Sequence, residues 1–198
     1  MNEETWRCFV GVPIGDELRA ELGTAVAELR AGTSGESDDL RWADAKAWHL
    51  TLAFLGPTAA SDVPRLAEAI SQVAGDHAPF TVATGGLGAF PSRRDVRILW
   101  YGLADRSRRL AELAVAVRVA VGTETSSPFR AHLTLARARG DRGVAVPAST
   151  WRAVMPAGLV AVEQLVLYRS HLGRGAARYE VLHAAPLGLT LAGTRAAS

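Results

Sequence analysis

The pentapeptide HLTLA occurs twice, at residues 49–53 and 132–136. Each copy sets a histidine and a threonine two positions apart. In a β-strand that spacing puts both side chains on one face and the two leucines on the other. Two such strands side by side would offer two imidazoles and two hydroxyls to a common space. Histidine ordinarily titrates at about 6.5, so one ring can be neutral while its twin is protonated near neutral pH. Cleavage of a phosphodiester needs that combination. A base takes a proton from the attacking water, and an acid gives one to the leaving oxygen on the far side of phosphorus. Each role is typically worth about 10²–10⁴-fold. Threonine hydroxyls beside the rings can donate hydrogen bonds to the non-bridging oxygens, where charge accumulates. His49 and His132 are therefore the candidate catalytic pair, with Thr51 and Thr134 as phosphate ligands. This chemistry needs no cofactor. Two histidines alone leave a catalytic zinc short of a third ligand, and the sequence offers none in pattern, so no metal is expected. His77, His171 and His183 stand in weaker contexts.

Elements that could hold the two pentapeptides follow from hydrophobic periodicity. Strands are expected at residues 5–12, 40–42, 48–55, 80–90, 96–103 and 129–137, with a closing hairpin from 161–172 and 177–185 around Gly173–Gly175. Gly56 and Pro57 are read as ending the 48–55 strand. Helices are expected at 16–32, with Gly32 at its C-terminal cap, at 62–75, with Pro64 in its first turn, and at 105–121. A short helix is expected at 151–155. Residues 33–39 and 91–95 read as loops. Short turns between strand neighbours favour antiparallel sheets with helices on one face, an α+β arrangement. No linker divides the chain, and the alternation of helices with strand pairs is consistent with duplication.

Composition adds exclusions. Apolar residues make up 48% and charged residues 21%, as in ordinary globular proteins. Cys8 is the single cysteine, so no intrachain disulfide and no cysteine metal cluster can form. The start, MNEETWRC, lacks the basic and apolar pattern of a signal peptide, and no apolar run is long enough to span a bilayer. A cytoplasmic, membrane-free, monomeric protein is the expectation. The 22 basic residues are all arginine apart from Lys46. Arginine suits phosphate through its planar fork, although such a bias also covers ordinary surfaces.

On these residues the chain resembles the two-histidine (2H) phosphoesterase superfamily, and within it the RNA 2',3'-cyclic phosphodiesterases, also called LigT-like or 2'-5' RNA ligases. The two H-x-T-x motifs carry the resemblance. The blocks RCFVGVPI (7–14), LRWADAKAWHLTLAFLG (40–56), LGAFPSRRDVRILWYGL (87–103), FRAHLTLAR (129–137) and LVLYRSHLGRGAARYEVLHAAPL (165–187) extend it over nearly the whole chain. The resemblance implies one bilobal domain over 1–187 with a flexible tail over 188–198. It implies two antiparallel sheets related by a pseudo-twofold, helices packed outside and a central cleft. It implies hydrolysis of RNA 2',3'-cyclic phosphate ends to 2'-phosphomonoesters, with His49 as proton donor and His132 as proton acceptor. Thr51 and Thr134 would hold the phosphate, helped by Arg137. Relatives often carry proline where this chain has Ala131.

Strand parity points Arg137 away from the phosphate unless a bulge or strand end intervenes near 136. Arg130 has the parity of His132 and is the alternative phosphate ligand. Trp42, Phe9, Phe54, Phe90 and Tyr168 are candidates for stacking a base, and Arg93 and Arg94 for following an RNA backbone. The expected partner is RNA with a 2',3'-cyclic phosphate terminus or a related small nucleotide. Other readings of the same site are 2'-5' RNA ligation or 2'-5' phosphodiester cleavage, hydrolysis of a small cyclic nucleotide, and a non-catalytic RNA-binding module.

Overall fold

A computed structural model describes residues 4–32, 39–123, 128–171 and 177–188. Strand β1 (Thr5–Pro13) leads into helix α1 (Asp16–Gly32), then β2 (Leu40–Trp42) and β3 (His49–Ala59). Helix α2 (Val63–Gly75) is followed by β4 (Phe80–Ser92) and β5 (Asp95–Ala104). Helix α3 (Arg109–Ala120) is followed by β6 (His132–Ala138), β7 (Leu159–Val162), β8 (Gln164–His171) and β9 (Arg178–Pro186). The pairing order is β7-β4-β5-β6-β3-β1-β8-β9, with β2 attached to β6, and every pairing is antiparallel.

This order is a palindrome. Outward from the centre, β3-β1-β8-β9 is matched by β6-β5-β4-β7, and the unit β1-α1-β3 is matched by β5-α3-β6. The central strands of the two lobes, β3 and β6, pair at one residue pair, Leu50 opposite Leu133, the first leucine of each pentapeptide. The two expected sheets are thus joined by a narrow seam into a single curled sheet, of nine strands among the described residues. One face is covered by the helices. Leu18, Leu22 and Val26 of α1, Leu66 and Ile70 of α2, and Leu110, Leu113 and Val117 of α3 join Val10, Val12, Leu50, Leu52, Leu133 and Leu135 in the core. The other face holds both histidines.

Several element boundaries differ from the sequence expectation. β3 does not stop at Gly56 and Pro57 but continues to Ala59. Gly56 takes a left-handed backbone, φ 70°, that only glycine adopts at little cost. Pro57 sits opposite Arg7 on a stretch of β3 whose other edge is unpaired, where a missing N–H costs no ladder bond. The α3 helix begins at Arg109, because the Asp105 carboxylate accepts from the Ala111 N–H at 2.8 Å and residues 105–108 form a turn. The expected 161–172 strand is two strands serving different lobes. β7 pairs with β4 and β8 with β1. The short helix near 151 is a 3-10 segment, Ala148–Arg152. Gly173–Gly175, residues 33–38 of the loop and 189–198 of the tail lie outside the described residues. Gly188 itself donates to the Ala74 carbonyl at 3.0 Å.

Candidate active site

Leu50 and Leu133 face each other across the seam, so the residues flanking them share the opposite, open face. Antiparallel pairing then sets His49 on the side of Thr134, and Thr51 on the side of His132. The palindrome thus delivers two imidazoles and two hydroxyls to one cleft. Leu50, Leu52, Leu133 and Leu135 are buried on the far face, each no more than 1% exposed.

Both pentapeptides carry the same β-bulge. Opposite β1, the register steps from Thr51 to Ala53 and leaves Leu52 unmatched. Opposite β5, it steps from Thr134 to Ala136 and leaves Leu135 unmatched. Two successive residues, leucine and alanine, therefore turn toward the core, and alternation resumes with its phase reversed. The carbonyls freed by the bulges are satisfied from outside the ladder. Arg118 of α3 donates to the Leu52 carbonyl at 2.9 Å, and the Ala43 N–H donates to the Leu135 carbonyl at 2.8 Å. The phase reversal swings the next residue of each strand to the cleft face. On β3 that residue is Phe54; on β6 it is Arg137.

Each histidine is oriented in the same way. His49 Nδ1 lies 2.7 Å from the Ala47 carbonyl, and His132 Nδ1 lies 2.7 Å from the Arg130 carbonyl. A carbonyl can only accept, so Nδ1 carries the hydrogen in both rings and Nε2 is the exchanging nitrogen of each. Arg19 of α1 fixes the turn before His49 by donating to the Ala45 and Ile14 carbonyls at 2.6 and 2.8 Å. Gly11 lies opposite Thr51. A Cβ there would stand 2.8 Å from the Leu50 carbonyl oxygen and 3.4 Å from His49 Cδ2.

The rings are walled by aromatics. Phe9 stacks on His49 at 4.6 Å between centroids, Tyr168 stacks on Phe9 at 5.0 Å, and Tyr179 meets His49 edge-on at 4.9 Å. Phe90 meets His132 edge-on at 5.0 Å, with Trp100 at 6.0 Å. Burial lowers the pKa of His49 to about 4. Its bond to Ala47 partly offsets this, and the charges of Arg137 and His132 push further down. Burial likewise lowers His132, partly offset by Arg130's carbonyl, with Arg137 and Arg130 adding to the fall. Arg137 thus acts on both rings. Its own pKa is lowered by burial, and the nearby cations Arg41 and Arg7 lower it further.

Of the candidates from sequence, His49, Thr51, His132, Thr134, Arg137 and Arg130 are brought to one cleft, with Arg130 also lying over the Phe90 ring at 5.8 Å. Phe9 and Tyr168 are on the cleft face but only 4% and 9% exposed, so they back His49 and leave little surface for a base. Phe54 is 64% exposed there. Trp42 requires a correction. It pairs with Ala136, a core-facing residue, and packs against the core toward Val26 and Trp48, on the face away from the histidines. Arg93 is also corrected. Its guanidinium donates to the Leu87 carbonyl at 3.1 Å and lies over Trp151 at 4.9 Å, so it is engaged within its own lobe. Arg94 sits at the tip of the β4–β5 turn. Tyr179, Trp100, Arg7 and Arg41 also border the cleft, and sequence reasoning passed over them. Parity with Phe9 could have flagged Arg7. Arg41 is identified only by the register of β2 on β6.

Among the described residues, no three His, Cys, Asp or Glu side chains are grouped closely enough to hold a metal ion. No described helix is long and apolar enough to cross a membrane.

A family model for the 2'-5' RNA ligase superfamily matches residues 16–174. An RNA 2',3'-cyclic phosphodiesterase of Geobacillus stearothermophilus is 28% identical over 185 residues, covering 90% of this chain and 56% of its own length. The chain therefore spans little more than half of that relative. An RNA 2',3'-cyclic phosphodiesterase of Archaeoglobus fulgidus is 30% identical over 135 residues, covering 67% of this chain and 73% of its own. Among solved structures, a protein of Thermus thermophilus superposes with a TM-score of 0.72 at 26% identity, covering 92% of this chain and 98% of the other. E. coli LigT complexed with 3'-AMP superposes with a TM-score of 0.67 at 28% identity, covering 94% and 100%.

Proposed function

The chain belongs to the 2'-5' RNA ligase superfamily, and from that premise we propose that it opens RNA 2',3'-cyclic phosphate ends to 2'-phosphomonoesters by acid–base catalysis between His49 and His132. The observation that carries this reading is the matched pair of imidazoles. Both are held by Nδ1 on a carbonyl two residues back, both turn the same edge to one cleft, and both lie in the field of Arg137. Activity of this kind in the named relatives supports it.

In the proposed reaction the cyclic phosphodiester lies between the two Nε2 atoms. His132 takes a proton from water as its oxygen attacks phosphorus, and His49 gives a proton to the departing 3'-oxygen. Thr51, Thr134 and Arg137 bear the charge that gathers on the non-bridging oxygens. No step requires a metal, and activity in EDTA should equal activity without it.

The depressed pKa of His49 bears on the roles. His49 is driven down to about 4, so its ring is neutral on the free site near neutral pH. Donation by His49 then requires the substrate's negative charge to draw a proton onto it. The exchanged assignment, with His132 as donor, is the second reading that a neutral His49 favours. A cyclic substrate with sulfur in place of the bridging 3'-oxygen separates them, since a thiolate leaves without protonation. That substrate should restore turnover to H49A and leave H132A inactive; the opposite pattern would exchange the roles. The overall reaction is tested by incubating the protein with RNA ending in a 2',3'-cyclic phosphate and identifying the product by phosphorus NMR. A 3'-phosphomonoester, or no product, would overturn the proposal. Ligation of 2'-5' bonds is the reverse of the same opening, and comparing rates on oligonucleotides and mononucleotides measures it.

A further inference from the structure

Three arginines on three strands converge on the cleft face beyond the histidines. Arg41 of β2 is the direct cross-strand partner of Arg137 on β6. Arg7 of β1 lies two residues from Phe9 on the same face, between Pro57 of β3 and Ser170 of β8. Like charges placed directly opposite one another weaken a sheet. Among the described residues no carboxylate pairs with Arg7, Arg41 or Arg137. The nearby Arg169, by contrast, is paired with Glu4 and Glu180. The charged groups acting on Arg137 are Arg41 and Arg7, with Tyr179 the one counterweight.

A cyclic phosphodiester carries one negative charge. Arg137, two threonine hydroxyls and a protonated histidine already answer it, which leaves Arg7 and Arg41 without an anion. On a nucleotide the next anionic group is the phosphate on the 5'-oxygen of the same sugar. Arginine holds such a group through paired N–H donors. We propose that Arg7 and Arg41, together with Arg137, form a second phosphate subsite for the group on the 5' side of the terminal nucleoside. The protein would then prefer an RNA chain end over an isolated nucleoside cyclic phosphate. The inference rests on the reading above, in which the reacting phosphate lies between His49 and His132.

The test is equilibrium binding, which does not depend on turnover. Adenosine 2'-monophosphate and adenosine 2',5'-bisphosphate are titrated into the whole chain by calorimetry at several salt concentrations. The bisphosphate should bind about tenfold more tightly. Its log–log salt slope should be steeper by about 0.7, the value for one more phosphate neutralised on a single strand. R41A and R7A should each shrink the preference toward unity. R65A, which removes an exposed charge on α2, should keep it. R41Q retains most of the side-chain stem and should behave as R41A, which separates charge from packing. A dinucleotide ending in a 2'-phosphate should match the bisphosphate if the subsite reads an RNA chain; affinity equal to the monophosphate would overturn that. Equal affinity of the mono- and bisphosphate for the unaltered protein, absence of binding by either, or equal weakening of both ligands in R41A and R7A would sink the subsite. A persistent bisphosphate preference in a protein that turns over no cyclic phosphate would instead leave the subsite standing and remove the catalytic reading.

Discussion

Lowering the pH should destabilise the protein through His49 by an amount the fold itself sets. The ring is stacked on Phe9 and edged by Tyr179, and burial holds its pKa at about 4 against an ordinary 6.5. A depressed pKa means the fold favours the neutral ring. The stabilisation is complete above pH 6.5, where the unfolded chain is also neutral, and it fades as the pH falls from 6.5 through 4. At 1.36 kcal/mol per pH unit, His49 alone should cost about 3 kcal/mol between pH 7.5 and pH 4. Against a typical stability of about 5–15 kcal/mol this is large. Other groups also contribute to the pH dependence, so the readout is a difference. Urea unfolding of the unaltered protein and of H49Q is measured from pH 7.5 to 4, and the two curves should converge by about 3 kcal/mol toward acid. NMR titration of the His49 ring gives the same quantity directly. The depressed pKa values also move the singly protonated site, and with it the maximum of kcat/KM, to the acid side of neutrality. Parallel unfolding curves, together with a His49 midpoint near 6.5, would refute the reasoning, for the ring would then be solvated.

H49A and H132A should each lower kcat on a cyclic phosphate RNA end by at least about 10²-fold while leaving the circular dichroism spectrum unchanged. G11A should destabilise the fold by roughly 1–3 kcal/mol in urea, since the added carbon would overlap the Leu50 carbonyl at 2.8 Å and crowd His49. F54A should weaken binding of base-bearing ligands by about 1–3 kcal/mol, the usual range for one stacked base. Because Phe54 is 64% exposed, it should cost little stability in the same urea assay. R118A should lower stability by about 1–3 kcal/mol, because the Leu52 carbonyl at the bulge loses its donor.

Much of the site was legible because strand periodicity is local. Histidine and threonine two apart share a face whatever the strand pairs with, and the alternating leucines say which face is core. The alternation of helices with strand pairs was consistent with duplication, and the pseudo-twofold was what the family resemblance implied. The helices at 16–32 and 62–75 were legible for the same reason, their apolar residues recurring at helical spacing. What lay beyond the sequence depends on partners. Arg137 reaches the cleft only because a bulge reverses the strand phase at Leu135, and that bulge is defined by the register of β6 on β5. Trp42 and Arg41 are adjacent in one short strand, and β2 pairing with β6 sends the tryptophan to the core and the arginine to the cleft. The lowering of both histidine pKa values is likewise tertiary. The two pentapeptides are identical, so their histidines differ only through what surrounds them: Phe9, Tyr168 and Tyr179 about one ring, Phe90, Trp100 and Arg130 about the other. A sequence states which groups can exchange protons, but the water excluded and the charges gathered around each ring are set by contacts between residues far apart in the chain.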